Sequence, residues 1–263
     1  MAPPNRADRH FDTSWETIHE EFARLYAIHT MRISPLNPLI ERVVKRGAAG
    51  MMTDFAARKE LQHQVFTVLR REIGAQPTDV TDLLAGDAAA TLPLVMCGTV
   101  SNLHTIDSGH SEMYLKMPAA AAKKLKIGGK IHAHTLKLGH ATQPGDLPQT
   151  ARMTLIESGV GLPPEARVPN AAAVTAVDAK LEQRSSHIFG PEVSLDDILR
   201  IAGGTHGRIL DIFDTPFFKR PRDLASLREF VEAAVAQRPE WKVATWEAAA
   251  SGSPMYHAKL VHE

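Results

Sequence analysis

The sequence predicts an α+β fold: a mostly helical N-terminal region over residues 1–88, then a small β-barrel or sandwich-like region over 89–263 with C-terminal helices and a terminal hairpin. Three observations predict it. Apolar residues recur at helical spacing as far as Ile73, short turn-separated strand-like runs follow from Thr91, and two more such runs close the chain on either side of Ser251 to Pro254. With 263 residues, 44% of them hydrophobic, the chain can bury a sizeable core without staples.

Residues 1–12 carry scattered charge and no periodicity, and read as a mobile leader. Thr13 and Glu16 then fit a capping box, in which each side chain satisfies the other residue's free N–H. Trp15, Ile18, Phe22 and Leu25 follow at helical spacing and predict a helix over 14–28. Pro38 suits the first turn of a short helix that ends at Arg46 before Gly47. Between Phe55 and Ile73 the stripe Leu61, Val65, Leu69 and Ile73 predicts a further helix, stopped by Gly74.

The texture then changes. The runs LPLVMCGTV (92–100), EMYLKMP (112–118), KIHAHTLKL (130–138) and RMTLIES (152–158) read as strands, and their spacing suggests a barrel or sandwich. Pro144, Pro148, Pro163, Pro164 and Pro169 forbid a long helix and mark a connecting region. Asn170 can cap a helix striped by Val174, Val177 and Leu181, and helical patterns recur over 194–213 and 223–237. The closing runs WKVATWEA and MYHAKLVH flank SGSP and predict the hairpin.

Composition excludes several classes of function. Cys97 is the single cysteine, so an intramolecular disulfide and a multi-thiolate zinc site are both ruled out, and a reducing, cytoplasmic setting is expected. Apolar stretches such as Leu92 to Cys97 fall far short of the ~20 residues that span a bilayer, so no membrane partner is expected. Thirty basic and thirty acidic residues cancel overall, yet six lysines face two acids between Ala89 and Ala141, a local net of +4.

Three constellations could carry chemistry. In SLDDILRIAGGTHGRILDIF (194–213) two short amphipathic patterns meet at Gly203 and Gly204, the pattern of a helix-turn-helix. Its residues Ala202, Gly203, Gly207, Ile209 and Phe213 resemble the DNA-binding motif of TetR-type repressors, although Leu199, Gly207 and Asp211 depart from it. That resemblance implies that Thr205, His206 and Arg208 reach base edges, while Lys219, Arg220 and Arg222 grip phosphate. The plain alternative is an ordinary helical hairpin.

The second is Met113 to Leu138, a strand, an Ala/Lys helix, a glycine turn and another strand, which resembles AbrB-like swapped-hairpin barrels. The resemblance implies phosphate contacts at Lys123, Lys124, Lys126 and Lys130; a solvated lysine face is the plain alternative. The third is His132-x-His134 with His140. Alternate strand residues point the same way and could offer two imidazoles to one metal, an arrangement similar to the first cupin motif but without its glutamate. Core histidines without metal are the alternative there. Phosphate-loop, nucleophile-elbow and dinucleotide glycine motifs are absent.

Lys242, Trp246, Tyr256 and Lys259 on the expected hairpin could stack bases and neutralise phosphates. The combined expectation is a nucleic-acid-binding protein, DNA-binding and regulatory or part of a nucleoprotein assembly, needing no cofactor. Its partners would be nucleic acid and the proteins of that assembly. The alternative expectation is an enzyme holding a divalent metal on His132, His134 and His140.

Overall fold

The computed structural model describes residues 15–17, 20, 62–85, 88–107, 118–123, 125–156, 195–205, 208–214, 224–253 and 255–263. Among them lie seven strands, β1 (Thr78–Leu83), β2 (Val100–Asp107), β3 (Ile131–Thr135), β4 (Arg152–Ile156), β5 (Ile209–Asp214), β6 (Trp241–Ala248) and β7 (Tyr256–His262). They form one sheet in the order β3-β2-β1-β4-β5-β7-β6. Neighbours from β3 to β5 pair in parallel, whereas β7 pairs antiparallel with both β5 and β6. Only β7 therefore runs against the rest.

The expected barrel or sandwich is thus corrected to an open, mostly parallel sheet covered on both faces. Register alternation sends Val80, Leu103 and Phe213 to one face and Leu83, Ile106, Met153 and Leu210 to the other. The first face is covered by α1 (62–73), α2 (Leu92–Met96) and α3 (118–123), the second by α4 (Leu195–Gly203) and α5 (Leu224–Ala236).

Helix α1 forms because Val65, Phe66 and Leu69 recur on one stripe, all fully buried. Each contributes about 1.5–3 kcal/mol by leaving water. Gly74 ends the helix in a left-handed conformation (φ +75°) that an L side chain would strain, and its amide donates to the Arg70 carbonyl at 3.0 Å. Helix α4 buries Leu195, Ile198, Leu199, Ile201 and Ala202. Trp241, at the head of β6, donates from Nε1 to the Leu199 carbonyl at 3.1 Å and so ties the last hairpin to that helix.

Several local expectations change with the architecture. LPLVM is helix α2 rather than a strand, with Pro93 tolerated in its first turn. ILDIFD is strand β5 rather than helix, since a parallel strand buried on both faces reads as a continuous apolar run. Residues 15–17 are helical as expected, the terminal runs pair as a hairpin, and α1 and α5 stand within their expected stretches. The expected helices over 38–46 and 170–181 lie outside the described residues, as does most of the strand expected over 112–118, whose last residue opens α3.

Candidate functional site

The chain lays β1, β2 and β3 outward to one side, then returns to place β4 and β5 on the other side of β1. The strand order reverses between β1 and β4, and at such a switch point the connections leave the sheet in opposite directions and open a crevice at the carboxyl ends. The residues that finish β1 and β2 therefore define the candidate site.

Beyond Leu83 the backbone turns left-handed at Leu84 (φ +56°) and again at Ala88 (φ +54°). Neither is glycine, and such conformations cost an L residue about 1–2 kcal/mol. The turn is held by several bonds. The Ala85 amide donates to Ile106 O at 3.0 Å, and Thr91 and Leu92 amides both donate to Ala88 O, at 3.1 and 3.0 Å. Ala88, Ala89 and Ala90 are buried against the α1 face.

Two carboxylates flank this turn. Asp107 closes β2 one position beyond Ile106, which pairs with Leu83, so it stands beside the start of the turn. Asp82, almost fully buried, lies on the α1 face within β1. Its Oδ2 accepts from Thr91 Oγ1 at 2.7 Å and its Oδ1 from Thr154 Oγ1 of β4 at 3.1 Å. Thr91 stands at the N-cap of α2 in a helical conformation (φ -100°, ψ -32°) with no side-chain capping bond, and its hydroxyl donates to Asp82.

The same register row carries a second buried carboxylate, Asp211 of β5. Arg152 grips it with two nitrogens, Nε at 2.6 Å and Nη2 at 3.2 Å, and His257 Nε2 lies 2.9 Å from its Oδ1. Burial works to raise the pKa of Asp211, but hydrogen bonds from His257 and Arg152 outweigh it and hold the carboxyl below the ordinary aspartate range. Arg152 also donates to the Glu72 carbonyl of α1 at 3.1 Å, and Lys259 Nζ reaches the Glu72 carboxylate at 2.8 Å.

The residues singled out from sequence fall elsewhere. Lys123, Lys126 and Lys130 are exposed; the last two lead into the first residue of β3, so they lie at the amino-terminal edge of the sheet, opposite the crevice. Arg208 is exposed just ahead of β5 on that same edge, and Thr205 is buried in the turn before it, donating to Ala202 O at 2.7 Å. Lys124, His206, Lys219, Arg220 and Arg222 lie outside the described residues.

The helix-turn-helix is corrected to helix, turn and central strand: the would-be recognition helix contributes Ile209 to Phe213 to the middle of the sheet, where it cannot enter a groove. The swapped-hairpin barrel fails for a similar reason, since β3 pairs with β2 in parallel at the sheet's edge. The hairpin aromatics are partly covered, with Trp246 and Tyr256 packed against the α4 face.

The metal expectation also fails on geometry. His132 and His134 share a face with His104, and the three rings pack on one another: His104 lies 4.7 Å from His132 and 5.4 Å from His134, centroid to centroid. His104 Nδ1 and His134 Nε2 are 3.1 Å apart, a bond between rings rather than lone pairs aimed at one point. Burial and the neighbouring imidazoles lower the pKa of both, against a raising effect of Asp79 on His104. His140 stands apart, exposed, 3.1 Å from Asp197. No group of three or more His, Cys, Asp or Glu among the described residues could hold a metal ion.

No known family matches the sequence, and no curated protein is similar to it. Solved structures do match. A magnesium protoporphyrin IX methyltransferase from Synechocystis PCC 6803 with bound S-adenosylmethionine is 14% identical, with a TM-score of 0.49, over 100% of both chains. A precorrin-6y methyltransferase from Geobacter metallireducens is 12% identical, with a TM-score of 0.44, covering 78% of this chain and 88% of that one. A ribosomal-protein methylase from Lactobacillus delbrueckii subsp. bulgaricus is 11% identical, with a TM-score of 0.43, covering 77% and 79%. The architecture rests on this chain's own strand order, which these likenesses accompany.

The expectation of a DNA-binding regulator or a metal enzyme is accordingly withdrawn: 194–213 is helix, turn and central strand rather than a helix-turn-helix, and the described histidines do not converge on a metal site. The expectation of no cofactor, or of a divalent metal, is corrected with it: the strand order opens a crevice of the nucleoside-binding kind, and no described group of His, Cys, Asp or Glu could hold a metal ion. No helix among the described residues is long and apolar enough to cross a membrane.

Proposed function

We propose that the chain holds one nucleoside-bearing cofactor at the switch point between β1 and β4 and acts as a methyltransferase, with S-adenosylmethionine as that cofactor. The observation that carries the reading is the strand order together with Asp107. An open sheet that binds a dinucleotide is built from two parallel mononucleotide-binding halves. Here β3-β2-β1 supplies one such half, while antiparallel β7 interrupts the other between β5 and β6. One nucleoside fits that asymmetry better than two.

The donor set suits the group. A carboxylate at the end of the strand beside β1, some twenty residues beyond the turn, can accept hydrogen bonds from the vicinal hydroxyls of a ribose. Asp107 occupies that position. The backbone is left-handed at Leu84 and Ala88, just beyond the carboxyl end of β1 where the crevice opens. When bound, S-adenosylmethionine supplies an electrophilic methyl group; the chain's part is to seat the nucleoside and hold it in register with an acceptor.

Titration calorimetry with S-adenosylhomocysteine tests this reading. One site per chain is expected, and Asp107→Asn should weaken it by about tenfold, the effect of losing charge-assisted hydrogen bonds. Silence with that ligand would refute the reading, and heat on adding NAD in its place would point to a different nucleoside cofactor.

For the acceptor we propose nucleic acid, on the exposed Lys123, Lys126 and Lys130. An acceptor that reached both these lysines and the crevice would run along the β3 edge, roughly 17 Å for five residues. Each lysine that neutralises a phosphate should contribute about 0.9 to the slope of log affinity against log salt. Replacing all three with alanine should flatten the slope accordingly; an unchanged slope removes them from the interface.

A further inference from the structure

We propose that Asp82 is a positioning residue: through the hydroxyls of Thr91 and Thr154 it fastens the turn after β1 in its left-handed form before any ligand arrives. The inference rests on the cofactor reading above for its consequence, but the fastening itself is a property of the chain alone. Asp82 is the penultimate residue of β1, at its carboxyl end toward the crevice; it is almost fully buried, and its two oxygens look in two directions. Oδ1 takes the Thr154 hydroxyl at 3.1 Å, on the strand across the switch point. Oδ2 takes the Thr91 hydroxyl at 2.7 Å, at the far end of the turn. The carboxylate thus ties the turn's end to the opposite wall of the crevice.

The tie is needed because the turn is strained. Leu84 and Ala88 occupy positive φ with side chains that disfavour it, and such conformations persist only where the surroundings over-determine them. Main-chain bonds hold the start of the turn to β2 through Ala85 and its end to Ala88 O through Thr91 and Leu92. Thr91 is the residue where these bonds and the carboxylate meet. Its hydroxyl makes no capping bond to α2; it lies 2.7 Å from the Asp82 carboxylate and 3.3 Å from the Ala88 carbonyl, so the end of the turn is anchored there. A cradle set in advance spares the ligand the ordering of the loop, which is how preorganisation raises affinity.

Hydrogen exchange on the full chain without ligand, followed by binding of S-adenosylhomocysteine, tests the proposal. Thr91→Val keeps shape and removes the hydroxyl. It should speed exchange of the Ala85, Ala88 and Ala89 amides about tenfold, leave the β5 amides unchanged, and weaken S-adenosylhomocysteine about tenfold. Thr91→Ser, which restores the hydroxyl, should return both readings to the wild-type range; it also provides the comparison with Asp82→Asn should Thr91→Val not fold. Unchanged exchange in Thr91→Val, or in Asp82→Asn, overturns the fastening. Faster exchange with undiminished binding overturns its role in the site. Faster exchange in a protein whose wild type ignores S-adenosylhomocysteine supports the fastening and refutes the cofactor reading instead.

Discussion

Asp82 and Asp211 lie on one face of one sheet, joined through Thr154, which pairs with both in register, and the chain treats them differently. Asp211 is gripped by a guanidinium and an imidazole under the full cover of α1. Asp82, two strands away and at the mouth of the crevice, takes threonine hydroxyls. A buried carboxylate answered by a guanidinium is locked to it, because parting the two leaves a naked charge in low dielectric. One answered by hydroxyls is held by weaker, shorter-range bonds. The first arrangement suits a seam that must never open, and the second suits a wall that must hold its shape and still face a ligand.

Arg152→Met is the strongest way to break that contrast. It keeps the stem's packing but leaves Asp211 without its guanidinium, and removal of one partner of a buried pair costs about 3–5 kcal/mol. Urea denaturation should show the loss as a lower midpoint. A change below ~1 kcal/mol would mean that His257 alone suffices and that the two aspartates are held alike.

The same pair contributes to the acid limb of stability. Because the folded pKa of Asp211 is lowered, its contribution is fully present above the unfolded value of about 3.9 and is lost as pH falls below that value towards the folded pKa. Asp211→Asn removes the titrating group, so its unfolding free energy should fall less steeply on acidification below pH ~4 than that of the wild type. Parallel curves would assign the acid sensitivity to other carboxylates.

The sequence disclosed local helices better than it disclosed the sheet. The stripe Leu61, Val65, Leu69 marks α1 because one face of that helix is dry and the other wet. β5 hides for the opposite reason: Ile209, Leu210, Ile212 and Phe213 are covered on both faces, so their pattern carries no period. β1 hides because Thr81 and Asp82, both buried, break up any apolar run along it. The candidate site stayed out of sight with it. A search for glycines after a strand finds Gly86 alone, because this chain reaches its left-handed turn with leucine and alanine. The signal that could have been used is a pair of acids, Asp82 and Asp107, each near the end of a short threonine-containing run.

The smallest expected effect separates strain that serves the crevice from strain that serves nothing nearby. Lys126 (φ +58°) has the same left-handed backbone as Ala88 (φ +54°), but its side chain is exposed in the turn before β3, whereas the Ala88 methyl is buried against α1. Glycine relieves the strain at either position. At Lys126 nothing buried is lost, so Lys126→Gly should stabilise the protein by roughly 0.5–1 kcal/mol, after allowance for the freer unfolded chain. At Ala88 the same relief is offset by about 0.8 kcal/mol for the methyl taken out of the core, so Ala88→Gly should leave stability nearly unchanged. Equilibrium unfolding of the two variants side by side checks both statements. Equal stabilisation would show that the Ala88 methyl contributes no packing; a loss at Ala88 would show that packing against α1 outweighs the strain and holds the turn as firmly as Asp82 does.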